Sequence, residues 1–280
     1  MLRFDSVMSI LQGEYDSRVS IRGTGEGIVL VPGMDGTGEL FYRQLPLLEK
    51  SYRIATYALR DDAANLETLA ADLKRVIEEV APDKRSAIVM GESFGGAIAL
   101  TAALTYPQHV SALVILNSFP YFAPQCRLRL ALAGLKILPW GAMSLVRYAT
   151  AFRMHSPHTH RRELKRFIEL TAQATREGYI NRLGLLRSYD VRARLNEVGC
   201  PTLFLAADQD HLVPSLAQAR YMADRVPSAL VRVLSGHGHI CLIAPKIDLC
   251  QILAEWRAGT DKSASDERYP ENPCVPNTRV

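Results

Sequence analysis

Four short stretches of this sequence carry side chains suited to acyl chemistry. The pentapeptide Gly91-Glu92-Ser93-Phe94-Gly95 follows the apolar run Ala87 to Met90 and leads straight into a small-residue helical pattern. A strand that turns into a helix within a residue or two forces the apical residue into a strained conformation. The flanking glycines let the two segments pass closely. Such a turn lifts the Ser93 hydroxyl clear of a sheet and sets it over the first helical turn. There, unpaired N–H groups stabilise a developing oxyanion. The pentapeptide alone is a weak pattern; its strand-turn-helix setting and its companions give it weight.

A nucleophilic serine needs a base and an acid to orient that base. The apolar stretch Thr202 to Ala206 runs into Ala207-Asp208-Gln209-Asp210-His211-Leu212-Val213-Pro214. A carboxylate just past the carboxyl end of a parallel strand lies on the same rim as Ser93. Asp210 is the better candidate because it immediately precedes the turn that Pro214 ends. Asp208 is the alternative, and either could simply cap that turn. The next apolar stretch ends in Ser235-Gly236-His237-Gly238-His239. His239 is favoured as the base, since the apolar run and Pro245 after it would dock a final helix; His237 stays open. A metal site at this histidine pair lacks nearby Cys or carboxylate ligands, so none is expected.

The oxyanion donors come from Gly33-Met34, at the end of the apolar stretch Ile28 to Val31. The backbone N–H groups of Met34 and Phe94 would cradle the oxyanion. Gly36 and Gly38 let this loop bend away, and Asp35 reads as a cap for the next helix. As a phosphate loop, Gly33 to Gly38 lacks G-K-[ST] and fits G-x-G-x-x-G poorly. No cofactor is expected.

The elements that must hold these residues alternate regularly. Strands are expected at Val19–Ile21 (an antiparallel edge), 28–31, 53–57, 87–90, 112–116, 201–207 and 229–234. Helices are expected at about 39–50, after Asp62 with Leu66, Leu69, Leu73, Val76, Ile77 and Val80 on one side, after Ser93, and from Pro245 to Trp256. Alternation of this kind means a mostly parallel sheet with helices on both faces. The stretch 120–197 has helical periodicity and no strand, as a helical lid insertion would. The expected organisation is a core of residues 1–119 and 198–258, a lid of 120–197, and a polar, disordered tail of 259–280.

At 280 residues, 48% of them hydrophobic, the chain can fill one large core. Five cysteines without C-x-x-C spacing argue against a disulfide framework. Residues 1–10 show no apolar signal core. The longest apolar stretch, 130–146, is broken by Lys136 and Pro139, so no integral membrane segment and a cytoplasmic location are expected. The net charge of +4 is uneven. Between Tyr121 and Gly199 basic residues outnumber acidic ones by 14 to 5, leaving −5 on the remainder. The cluster His155, His158, His160, Arg161, Arg162, Lys165 and Arg166 reads either as a solvated helix face or as a landing surface for an acidic carrier protein or anionic lipid. Nothing accompanies it that would read nucleic acid. Ten apolar residues of the insert (Leu128, Leu130, Leu132, Leu135, Ile137, Leu138, Trp140, Met143, Leu145 and Val146) would bury it on the core. Some of them, with Trp140, Met143 and Gly33 as candidates, would line an acyl-binding tunnel.

The order Ser93, Asp210, His239, with the Gly33-Met34 loop and a helical insert after 112–116, resembles the α/β-hydrolase fold superfamily over about residues 20–258. Val31-Pro-Gly-Met-Asp-Gly-Thr-Gly38 also looks like the corresponding loop of plant phytyl ester synthase-type acyltransferases. One departure is Pro32, where many members carry His before the first glycine. Asn117 stands where some relatives place the acid. The resemblance implies a serine hydrolase that cleaves a small-molecule carboxylic ester or thioester through a Ser93 acyl-enzyme, with a medium or long apolar acyl chain under the lid. An acyltransferase on the same triad, or a non-catalytic binding protein of this fold, is the alternative.

Overall fold

The computed structural model of the protein describes residues 18–122, 125–137 and 139–263. Strands β1 (Val19–Arg22), β2 (Glu26–Val31), β3 (Tyr52–Tyr57), β4 (Ala87–Glu92), β5 (Val110–Leu116), β6 (Thr202–Ala207) and β7 (Ala229–Leu234) form one sheet in the order β1-β3-β2-β4-β5-β6-β7. Only the edge pair β1–β3 is antiparallel. The other pairs are parallel, with Val31 beside Gly91, Glu92 beside Leu116, and Leu116 beside Leu205. Central strands buried on both faces read as unbroken apolar runs, and the pleat divides each run between two cores. Val29, Val31 and Val89 face one core; Ile28, Leu30, Ile88 and Met90 face the other.

Helices α1 (Leu45–Leu48), α2 (Leu66–Val80) and α3 (Phe94–Thr105) precede the insert. It carries α4 (Gln125–Ile137), α5 (Met143–Met154), α6 (Arg161–Thr171) and α7 (Arg176–Leu185). Beyond it come α8 (Ser215–Ala223) and α9 (Leu249–Ser263). The α2 helix starts where Asn65 accepts the Thr68 N–H at 2.8 Å, and its stripe from Leu66 to Val80 is buried against the first core. Burying one such leucine contributes about 1.5–3 kcal/mol. By contrast α3 is buried all round, which its glycines and alanines allow because the helix can lie close to the sheet. The second core is closed by α9 through Leu249, Leu253 and Trp256.

Three sequence expectations need correction. Pro46 lacks an N–H and crowds the carbonyl four residues back, so the helix expected over 39–50 is a 3-10 turn at Glu39–Phe41 followed by the short α1. The last helix begins at Leu249 and continues to Ser263, so residues 259–263 are helical; 264–280 lie outside the described residues. The apolar residues expected to seat the insert divide where they are described. Leu130, Ile137 and Leu145 are exposed, while Leu135 is buried and Leu132 packs on the core. Leu138 and the side chains of Leu128, Trp140 and Met143 lie outside the described residues. Phe167, Leu186, Tyr189 and Arg182 are buried in the insert as well.

Candidate active site

Ser93 sits between β4 and α3 with φ 54° and ψ −117°, a conformation that L-residues adopt only under constraint. The constraint is the close passage of neighbouring backbone. A Cβ at Gly91 would overlap the Gly95 carbonyl, and one at Gly95 would overlap that of Val31. The Ser118 hydroxyl donates to the Ser93 carbonyl at 2.6 Å, and the Ser93 N–H donates to the Leu116 carbonyl at 2.9 Å. The elbow is therefore pinned to the end of β5 from two directions.

The loop after β7 brings His239 to this serine. Its Nε2 lies 3.0 Å from Ser93 Oγ and its Nδ1 2.6 Å from Asp210 Oδ2. Asp210 accepts the Leu212 and Val213 N–H groups through Oδ1, at 2.9 and 3.0 Å, and the Ser215 hydroxyl through Oδ2. Burial alone would raise its pKa. The hydrogen bond and charge of His239, then the bonds from Ser215 and Val213, outweigh this and hold it below the usual carboxylate range. Burial likewise disfavours the His239 cation, yet the hydrogen bond and charge of Asp210, helped by Glu92, hold its pKa above the ordinary histidine value.

The alternatives are placed elsewhere. His237 is buried with Nδ1 2.9 Å from Ser156 Oγ, turned toward the insert, and burial followed by the neighbouring His158 lowers its pKa. Asp208 accepts the Gly236 N–H at 2.7 Å and caps the turn.

Ser93, His239 and Met34 line a cavity of about 140 Å³. Leu40, Val146, Met154, Phe167, Leu212 and Ile240 supply its apolar wall, and Asp35, Glu92, Arg147, Thr150, Thr171 and Tyr179 its polar part. Phe94 opens α3, so its N–H has no partner within the helix. Gly33 is not in the cavity wall; it is buried with its backbone against the Glu92 carboxyl, where a Cβ would overlap Oε2.

Several residues of the site escape sequence reading. Glu92 faces the cavity beside the serine. Burial, with Asp35 and Asp210 adding and His239 opposing, pushes its pKa up to about 7. Its place inside the pentapeptide was the available signal. Asn117 is buried at φ 48°, and its amide bridges the β6 end and the histidine loop. Arg182 reaches the Met34-Asp35 loop from α7. Nothing in a helical arginine 148 positions from its partner announces that contact.

The basic cluster of the insert separates. His155 Nδ1 lies 2.6 Å from the Phe152 carbonyl, and Arg166 lies over the Tyr42 ring at 4.2 Å. Arg161, Arg162, Lys165 and His160 are exposed. Among the described residues no helix is long and apolar enough to cross a membrane, and no group of three or more His, Cys, Asp or Glu could hold a metal ion.

Comparison with known proteins agrees with this architecture. A family model described as the alpha/beta hydrolase fold matches residues 27–244. RutD of Escherichia coli, which carries the name of a carbamate hydrolase, is 25% identical over 227 residues, 76% of this chain and 84% of its own. A thermophilic esterase from Thermogutta terrifontis superposes with a TM-score of 0.75 at 20% identity, covering 86% of this chain and 92% of that one. An enol-lactonase from Burkholderia xenovorans gives 0.72 at 18% identity, covering 87% and 94%.

Proposed function

The chain belongs to the α/β-hydrolase fold family, and from that premise we propose that it is a serine hydrolase acting on a small carboxylic ester or thioester. The observation that carries this reading is the hydrogen-bonded line Ser93–His239–Asp210 at the wall of a largely apolar cavity. His239 Nε2 takes the Ser93 proton as Oγ adds to the substrate carbonyl, and Asp210 steadies the imidazolium. The Met34 and Phe94 N–H groups receive the oxyanion. The tetrahedral adduct collapses to an acyl-serine while His239 returns the proton to the departing alcohol or thiol. Water, deprotonated by the same imidazole, then releases the acid and restores Ser93. The names carbamate hydrolase, esterase and enol-lactonase all describe substrates with a carbonyl that bears a heteroatom, the substrate feature this reading requires.

The size of the cavity bears on the acyl group. Ligand pockets usually measure about 300–1,000 Å³, so about 140 Å³ favours a short acyl chain in this arrangement. A longer chain would either extend beyond the cavity mouth or part α5 and α6, which supply Val146, Met154 and Phe167. The exposed arginines of α6 would serve an acidic carrier or anionic lipid only if substrate arrives on one.

A fluorophosphonate probe followed by peptide mapping tests the nucleophile: labelling is expected at Ser93 and nowhere else. A panel of p-nitrophenyl esters and acyl thioesters from C2 to C16 tests the chain length, with kcat/KM expected to fall beyond the short members. Absence of both labelling and turnover would leave a non-catalytic member of the family.

A further inference from the structure

We propose that Arg182, contributed by the insert, is the positioning residue of the oxyanion loop, so that the insert governs the chemical step as well as access to the cavity. This rests on the serine hydrolase reading. The Gly33–Gly38 loop belongs to no helix or strand, and Gly36 and Gly38 sit at φ 72° and 77°. From the insert side a buried guanidinium holds it. Arg182 is 1% exposed. Its Nε donates to the Met34 carbonyl at 2.9 Å and its Nη2 to the Asp35 carbonyl at 3.1 Å.

These two donors lie on one edge of a rigid planar fork, so they fix two successive peptide groups relative to each other. The Met34 N–H lies one residue's dihedral angles from the first of those groups, and its direction depends on them. The glycine after Asp35 is part of the fit. A Cβ at Gly36 would come within 2.7 Å of Arg182 Cζ and Nη1, so the guanidinium rests directly on bare backbone.

The arginine is itself tied down. Its Nη1 donates to Asp61 Oδ1 at 3.0 Å, which balances the buried charge. Asp61 also accepts the Thr175 hydroxyl at 2.6 Å, and the Asn181 amide donates to the Asp61 and Ala63 carbonyls at 2.9 and 2.8 Å. Thr175 caps α7, accepting the Gly178 N–H at 3.0 Å. The helix that carries Arg182 is thereby fastened to the Asp61–Ala63 segment at its start and near its middle. A lysine at 182 would keep the charge and lose the fork.

The experiment compares wild type with Arg182→Lys and Arg182→Met on a short p-nitrophenyl ester. It also measures inhibition by an alkyl boronic acid, whose adduct with Ser93 places an oxygen in the oxyanion site. Losing the alignment of one donor should cost about 10- to 100-fold in kcat with KM within about threefold. Boronate affinity should fall with kcat, and lysine should recover only part of the loss. If Arg182→Met does not fold, Arg182→Lys decides alone. Amide hydrogen exchange across residues 33–38 reads the loop without any substrate and should accelerate in Arg182→Lys. Unchanged exchange there, a folded variant with kcat within twofold of wild type, or a loss confined to KM with boronate affinity intact would each overturn the assignment. An inert, unlabelled wild type would instead defeat the hydrolase reading, while the exchange measurement still judges the loop.

Discussion

The side-chain amide of Asn117 donates to the backbone carbonyl of His239 at 2.9 Å, while its oxygen accepts the Ala207 N–H at 2.8 Å. One buried amide thus sets the spacing between the strand that leads to Asp210 and the loop that carries His239. Replacing Asn117 by Ala leaves both backbone groups unsatisfied, at about 1–3 kcal/mol of stability for each. Turnover should fall more than urea resistance does, because the histidine loses its support. Urea midpoints and kcat measured on the same preparation check this. The Asp variant, whose carboxylate would face the His239 carbonyl, should be worse than Ala.

Ser93→Ala should abolish fluorophosphonate labelling and lower kcat by roughly 10³-fold or more, leaving only residual effects of binding and of the oxyanion donors. Its circular dichroism and melting temperature should stay close to those of wild type, since the substitution keeps the φ 54° backbone and removes only the hydroxyl bonded to His239. His237→Gln should retain activity, because His237 bonds to Ser156 and not to the serine.

The pH dependence comes from the paired shifts of His239 and Asp210. His239 must be neutral to accept the serine proton, and its pKa is raised above 6.5, so kcat/KM should climb with pH through a midpoint above that value. The stabilisation from the raised His239 is full below its unfolded pKa of 6.5 and is lost as pH rises through the folded value. That from Asp210 is full above 3.8 and is lost as pH falls through its lowered folded value. The pair therefore stabilises the fold most between these limits. Subtracting the stability profile of His239→Gln from that of wild type between pH 3 and 9 should show this dome.

Glu92 gives a separate signature. Its pKa of about 7 lies above the usual 4.5, so the protonated form is the one the fold prefers. Stability from this group is full below 4.5 and drains as pH rises through about 7. Glu92→Gln should thus gain on wild type at pH 8 and lose that advantage at pH 4. Thermal melts at the two values check it.

The fold was legible because its signals are local. Apolar runs such as Ile28–Val31 and Ala87–Met90 announce strands buried on both faces, and the Leu66–Val80 stripe announces its helix without help from the rest of the chain. Ser93, Asp210 and His239 stood out because each lies just past a strand end, a position the alternation itself makes visible. Only the apolar run and Pro245 beyond it distinguished His239 from His237. Asn117, Arg182 and the Glu92 carboxyl were not legible in the same way. Their roles come from contacts 59 to 148 positions apart, which no period of 2 or 3.6 encodes. The insert misled for a related reason: an apolar residue on a helix shows that a face exists, not which neighbour covers it, and Leu130, Ile137 and Leu145 are exposed.

The backbone of Ile240 donates to the Met154 carbonyl at 2.9 Å, and His155 pairs with Ile240 as an isolated bridge. The hydroxyl of Ser93 and the imidazole that faces it are 146 positions apart. On the ribosome, the serine leaves the exit tunnel long before the residue that would activate it exists. On the proposed reading the half-made chain therefore carries an ordinary alcohol, and the serine becomes a nucleophile only when the last segments arrive to be stitched against the insert.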